Sequence, residues 1–186
     1  MSAEPQKYFF TVDEYYRMAE AGLFSEGRHV ELIEGEVIEM SPIGSRHAGC
    51  VDDLNSLLTH KVGRLAIVRV QGPIRIDEYS EPQPDIALLK PRRDSYRRSH
   101  PTPSDVLLVI EVADTSAQYD RNVNLPLSAS AGIPEAWLIV LPKDLVEVHS
   151  EPKNGKYQKV QRLKRGKTVN SPTVQGLSLK VDDILG

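Results

Sequence analysis

Apolar residues fall into two kinds of run along this chain. Some runs are continuous: Ile86–Ala87–Leu88–Leu89, Val106–Leu107–Leu108–Val109–Ile110–Glu111–Val112–Ala113, and a stretch from Glu135 to Leu141 that contains Trp137. Segments this apolar predict strands buried on both faces of a sheet. Elsewhere apolar positions recur at helical spacing. His47, Val51, Leu54 and Leu58 fall at i, i+4, i+7 and i+11, which is one face of a helix. That helix is predicted from about Arg46 to Lys61, capped by Ser45 and ended by Gly63.

Polar punctuation sets the remaining elements. Thr11–Val12–Asp13–Glu14 matches a capping box and predicts a helix running to about Ala21, stopped by Gly22. Residues Met1 to Gln6 ahead of it read as a loose tail. Val30 to Met40 alternates around Glu34–Gly35 and predicts two joined strand segments. Ile67 to Ile76 predicts a strand interrupted at Gly72–Pro73. A helix is predicted from Asp120 to Ala131, where Pro126 is tolerable only near the first turn, with Gly132 and Pro134 as its stop. Asn154–Gly155 signals a hairpin between Leu145–His149 and Tyr157–Leu163, and Leu177 to Val181 predicts a last short strand. This order predicts a mixed α/β (α+β) sandwich with a central sheet, in one domain spanning residues 1–186. It lacks the regular βαβ alternation of a dinucleotide-binding domain.

Composition narrows the classes. The chain's 186 residues, 40% hydrophobic and 26% charged, suffice for one genuine core. A net charge of −3 argues against indiscriminate nucleic-acid binding but leaves room for a local basic patch. One cysteine, Cys50, excludes an intramolecular disulfide. With no signal-like segment and no membrane-length apolar stretch, a cytoplasmic location is expected.

Glu111 carries the sharpest chemical signal. An isolated ionised carboxylate inside so apolar a strand costs several kcal/mol or more, so it neutralises or finds a partner. A second acid, Asp85, opens the neighbouring apolar run after Pro84. Two strand-borne oxygen donors without a Cys/His cluster suit Mg²⁺ or Mn²⁺ better than Zn²⁺. The plainer account is that Asp85 caps a turn and Glu111 pairs with an arginine. Glu31, in Val30–Glu31–Leu32–Ile33, can point inward as a third acid, but on these residues alone an exposed position on an edge strand is the better reading. His47 lies in the first turn of its helix, after a Pro/Gly loop, and can reach the sheet edge from there. Cys50 reads as structural. Arg92, Arg93, Arg97 and Arg98 crowd the loop between the two acidic strands, and a second basic group runs from Lys153 to Lys167. If either flanks the acids, it would draw a polyanion to them. No GxSxG elbow, GxGxxG or Walker loop is present.

An ordered set of motifs then resembles a known family. It comprises Glu31–Leu32–Ile33–Glu34–Gly35–Glu36, Ser45–Arg46–His47–Ala48, Pro84–Asp85 and Ile110 to Ser116, followed by Tyr119–Asp120–Arg121 and Ala131 to Leu138. Together these resemble the bacterial Uma-two family of endonucleases, with the restriction-endonuclease-like, or PD-(D/E)XK, fold. The resemblance implies a divalent metal held by Asp85 and Glu111, with Glu31 and His47 as further site residues, and hydrolysis of DNA phosphodiester bonds. On this nuclease reading the arginine loop holds the phosphate backbone, and by analogy the protein is a homodimer, since two-fold symmetry supplies the two sites a duplex needs. The chain departs from the pattern twice. Ala113 stands where the wider fold has a lysine two residues after the glutamate. Asn124 and Ser128 stand where related chains carry a lysine and a tyrosine on the following helix. Asparagine brings no positive charge, and losing one electrostatic contributor costs about 10²–10³ in rate. The alternatives are a non-catalytic module of the same fold that binds nucleic acid or a protein partner, and a metal-dependent hydrolase of a small phosphate ester.

Overall fold

The structure is a computed structural model and describes residues 6–24 and 27–186. The tail expected at residues 1–6 lies outside the described residues except for Gln6. The first helix, α1 (Val12–Glu20), has the anticipated capping box: the Glu14 amide donates to Thr11 Oγ1 at 3.2 Å, and the Thr11 amide donates to Glu14 Oε2 at 2.9 Å. An antiparallel pair follows, β1 (Val30–Ile33) and β2 (Glu36–Glu39), turning at Glu34–Gly35. Gly35 has φ +78°, and a Cβ there would stand 2.5 Å from Phe9 Cβ, so the turn needs glycine. The long helix α2 (Ser45–Val62) begins one residue before its expected start. Its N-cap is Gly44 with no side-chain cap, so Ser45 is the first helical residue and not the cap.

The central sheet has six strands in the order β3-β4-β5-β6-β7-β8. They are β3 (Ile67–Val70), β4 (Ile86–Leu89), β5 (Val106–Ala113), β6 (Glu135–Val140), β7 (Leu145–Lys153) and β8 (Lys156–Lys164). All neighbours are antiparallel except β5 and β6. The strand anticipated from Ile67 to Ile76 stops at Val70. Beyond it the chain bonds to loops instead, as where the Ile74 amide donates to the Pro82 carbonyl at 3.0 Å. The β7–β8 hairpin turns at Asn154–Gly155 as expected, and both strands run longer than anticipated. A third small pair, β9 (Thr168–Asn170) with β10 (Ser178–Lys180), and the helix α5 (Val181–Leu185) close the chain. Only β10 was anticipated among these.

Helices cover both faces of the sheet. Cys50, Val51, Leu54, Leu58 and Val62 of α2 pack with Ile86, Leu88, Ile110, Val112, Trp137 and Ile139, together with residues of β9, β10 and α5. Leu125 packs on the opposite face with Ala87, Val109, Ala113, Ala136, Leu138 and Val140. The segment that brings Leu125 there is helical in three parts: α3 (Ala117–Tyr119), a π-helical turn at Asp120–Asn124, and α4 (Leu125–Ser130). It starts three residues before the expected Asp120. The turn widens just ahead of Pro126, whose missing N–H cannot continue an α-helical ladder. No helix among the described residues is long and apolar enough to cross a membrane.

One buried acid belongs to the scaffold. Glu135 at the start of β6 is fully enclosed and accepts hydrogen bonds from Trp137 Nε1 (2.6 Å), Ser171 Oγ (2.5 Å), the Thr173 amide (3.2 Å) and Thr173 Oγ1. It ties the central sheet to the loop between β9 and β10. Replacing it strands the buried Trp137 Nε1 donor and releases Ser171 and Thr173 together. The Glu135→Ala variant is expected to lose about 3 kcal/mol of stability, read as a lower urea midpoint at unchanged slope. A loss below about 1 kcal/mol would show that the loop holds without it.

Candidate active site

Antiparallel pairing of β4 and β5 sets the site. With Ile86 opposite Ile110, the next pair outward is Asp85 and Glu111, at the end of the ladder. The Asp85 amide donates to Glu111 Oε2 at 3.4 Å, and the Val112 amide donates to Asp85 Oδ2 at 2.8 Å. Both carboxylates open onto a cleft of about 630 Å³. Glu111 is half-buried there, whereas Ile110 and Val112 beside it are enclosed on the α2 face. No arginine pairs with either acid among the described residues, so the plainer account of Asp85 and Glu111 does not hold.

Three of the other expected residues join them. His47, from the first turn of α2, places Nε2 3.0 Å from Asp85 Oδ2. Its Nδ1 is buried without a partner. Glu31 on β1 also lines the cleft and is 4% exposed, which corrects the edge-strand reading. The isolated bridge from Leu32 to Glu81 covers that strand on the side away from β2. Asn124 lines the cleft from the π-helical turn.

Asp120 was quoted as part of a motif but not anticipated as a site residue. It is buried on the cleft, accepts from Ser116 Oγ at 2.7 Å and from Asn124 Nδ2 at 2.8 Å. Its position four residues before Asn124 was the available signal, because that spacing puts both on one helix face. Since Asn124 gives its amide to Asp120, its Oδ1 is left buried and unpartnered. Asparagine therefore meets the site with an acceptor, the reverse of what a lysine would bring.

The arginine loop is not beside the acids. Asp85 precedes β4 and the loop follows it, so Lys90 lies about 16 Å along the strand from Asp85. Arg92 is held there by Asp94 (2.6 Å) and lies over the Tyr96 ring at 3.9 Å. None of the described residues lining the cleft is lysine or arginine.

Glu31, Asp85, Glu111 and Asp120 thus crowd together with no lysine or arginine lining the cleft among the described residues, while Asp114, also on the cleft, pairs with Arg46 at 3.6 Å. Burial pushes Glu31 up to about 7, with Asp85 and Asp120 adding to the rise. Burial, then the charges of Asp85, Asp120 and Glu31, push Glu111 well above the usual carboxylate range. Asp120 is raised too, first by burial, although Ser116 and Asn124 oppose the rise. His47 is raised by its hydrogen bond to Asp85. An acceptor-rich donor set with surplus negative charge fits a hard divalent cation. Among the described residues no three His, Cys, Asp or Glu side chains form a ready-made metal cage. One or two carboxylates with the remaining positions left to water and substrate is the arrangement Mg²⁺ favours.

Metal-free protein should show this strain. In the folded chain Glu31 ionises only near pH 7, against about 4.5 unfolded, so the native state binds protons more tightly in that window. Stability therefore falls as pH rises from 4.5 to 7, by on the order of 3 kcal/mol for this group. Glu111 and Asp120 act in the same direction. The share from His47 is also present below its ordinary 6.5 and lost above its raised value. The melting temperature in chelator is expected to drop by several degrees from pH 5 to pH 8, and millimolar Mg²⁺ to restore it at pH 8. A flat or rising profile would contradict the electrostatics described.

Comparisons with known proteins agree with this fold. A family model, Uma2, described as "Putative restriction endonuclease", matches residues 12–182. A solved structure titled as a putative nuclease belonging to DUF820, from Anabaena variabilis ATCC 29413, superposes with a TM-score of 0.74. It is 19% identical, and the alignment covers 95% of this chain and 97% of that one. At that identity it speaks for the fold. A comparison with curated proteins found no match.

Proposed function

The chain belongs to the Uma2 family, and from that premise we propose that its cleft is the active site of a metal-dependent endonuclease hydrolysing DNA phosphodiester bonds. The observation that carries this reading is the convergence of Asp85 and Glu111, from neighbouring strands, on one cleft that no described lysine or arginine lines. In this reading Asp85 and Glu111 hold Mg²⁺ or Mn²⁺, which when bound supplies Lewis-acid stabilisation of the charge developing at phosphorus.

The chain's own residues supply the rest. Asp85 has two tasks, because its Oδ2 is already shared by His47 and the Val112 amide. Those contacts fix the carboxylate's plane and leave Oδ1 for the ion. Glu31, titrating near neutrality, is suited to accept the proton from an attacking water. His47, whose protonated form is favoured by its hydrogen bond to Asp85, is suited to hold a phosphate oxygen through Nδ1. Asp120 positions Asn124. Cutting both strands of a duplex needs two such clefts, so the reading includes a homodimer.

The second reading, a non-cleaving module of the same fold, is favoured by Asn124. Its amide is committed to Asp120, and no lysine lines the cleft among the described residues.

Nicking of supercoiled plasmid in Mn²⁺ or Mg²⁺ tests the proposal. Wild type is expected to nick, and Asp85→Asn and Glu111→Gln each to lose about 10³ or more in rate while keeping their fold by circular dichroism. Duplex binding without nicking by wild type would favour the non-cleaving module. The Asn124→Lys variant is expected to nick roughly 10²-fold faster than wild type. An unchanged rate in active protein would remove that position from the chemistry.

A further inference from the structure

The register across the central sheet carries the cleft's chemistry toward the hairpin. Glu111 pairs with Leu138, Leu138 with Glu147, and Glu147 with Arg162. Directly paired residues share a face, so Glu111, Glu147 and Arg162 stand in one lateral row on one side of the sheet. The adjacent row, toward the end where β5 leaves for the Asp114–Ser116 loop, is Ala113, Val140, Leu145 and Lys164. Arg162 and Lys164 are therefore on the same face as Glu111 and at the same end of the sheet as the cleft mouth. The lateral distance, three strand spacings, is about 14 Å.

These cations are held out, not folded in. Glu147 is 3% exposed and accepts from Arg121 Nε (3.1 Å) and Nη2 (3.2 Å) and from Arg162 Nε (3.0 Å). The Arg162 side chain is 63% exposed, with only its Nε engaged, so two guanidinium nitrogens point outward in a fixed plane. One carboxylate against two guanidiniums leaves net positive charge. Burial keeps His149, 3.3 Å from Glu147, below its ordinary value, so it adds little charge at neutral pH. Lys164 is exposed beside them. The π-helical turn joins the two places directly: Asp120 lines the cleft and Arg121, the next residue, reaches Glu147.

We propose that Arg162 and Lys164, backed by Arg121 and oriented by Glu147, clamp the phosphate backbone of DNA flanking the scissile position. This rests on the nuclease reading of the cleft and extends it to a binding track. Fourteen ångströms is about four nucleotide steps along a duplex axis. The fork of an oriented guanidinium matches a phosphate's paired oxygens. The loop bearing Arg93 and Arg97 lies at the opposite end of β4 and takes no part.

Anisotropy of a short labelled duplex, titrated with protein in calcium over a KCl series, tests the clamp. The Arg162→Gln/Lys164→Gln double variant is expected to bind roughly tenfold more weakly near 0.1 M salt, and to lose about two from the slope of log K against log salt. Lys164→Gln alone, at an exposed position with no packing to lose, is expected to remove about one. Arg93→Gln/Arg97→Gln is expected to change neither. Unchanged slopes in both β8 variants, or equal losses from the Arg93/Arg97 pair, with parental binding and nicking intact, would overturn the clamp and leave the nuclease reading standing. No binding and no nicking by the parent would overturn both.

Discussion

Glu31, Asp85, Glu111 and Asp120 share a cleft at the end of the β4–β5 ladder, and among the described residues the basic side chains lining it are His29 and His47. Everything else about the site follows from that imbalance. The fold holds it because the cost is spread over rigid elements: an eight-residue strand buried along most of its length, an 18-residue helix, and a β hairpin closed by a glycine that only glycine can occupy. Each acid is fixed by backbone it cannot escape, so the repulsion is not relieved by side-chain rotation alone. A bound cation, or protonation, relieves it instead.

The remaining polar network decides how the cleft meets a ligand. His47 from α2 and the Val112 amide from β5 both hold Asp85 through Oδ2, while Glu111 points to the face away from Ile110 and Val112. Asp120 takes the Asn124 amide and turns its oxygen inward. Positive charge that binds polyanion must then come from outside the cleft, and the register of β5 to β8 brings Arg162 and Lys164 to the correct end and face. Glu147 prevents the two guanidiniums from splaying apart without cancelling their combined charge.

Much of this was legible from residue patterns. A carboxylate in a continuous apolar run marks Glu111, and Pro84–Asp85 at the head of another run marks its neighbour. The capping box at Thr11 and the Asn154–Gly155 turn were local signals and needed no tertiary information. What failed depended on pairing. On its own residues Glu31 read better as an exposed edge position than as an inward acid, but a chain segment distant in sequence covers that edge. The arginine loop joins two acidic strands in sequence and so looked adjacent to the acids. In this antiparallel pair Asp85 and Glu111 meet at the end of the ladder away from the connecting loop. Asp120 was hidden by its place in a helix whose start was set too late, and the widened turn that aims it has no simple sequence signature. The small β9–β10 pair is anchored by the buried Glu135, a contact between residues far apart in the chain.

The central claim is that the Asp85–Glu111 end of the ladder binds one divalent ion per chain. Calorimetric titration of chelator-treated protein with Mn²⁺ measures it without reference to any substrate. The account predicts a single site per chain in wild type, lost in Glu111→Gln and weakened by lowering the pH toward 5. Saturation of the same site by Glu111→Gln with unchanged affinity, or no binding at all by folded wild type, would contradict it.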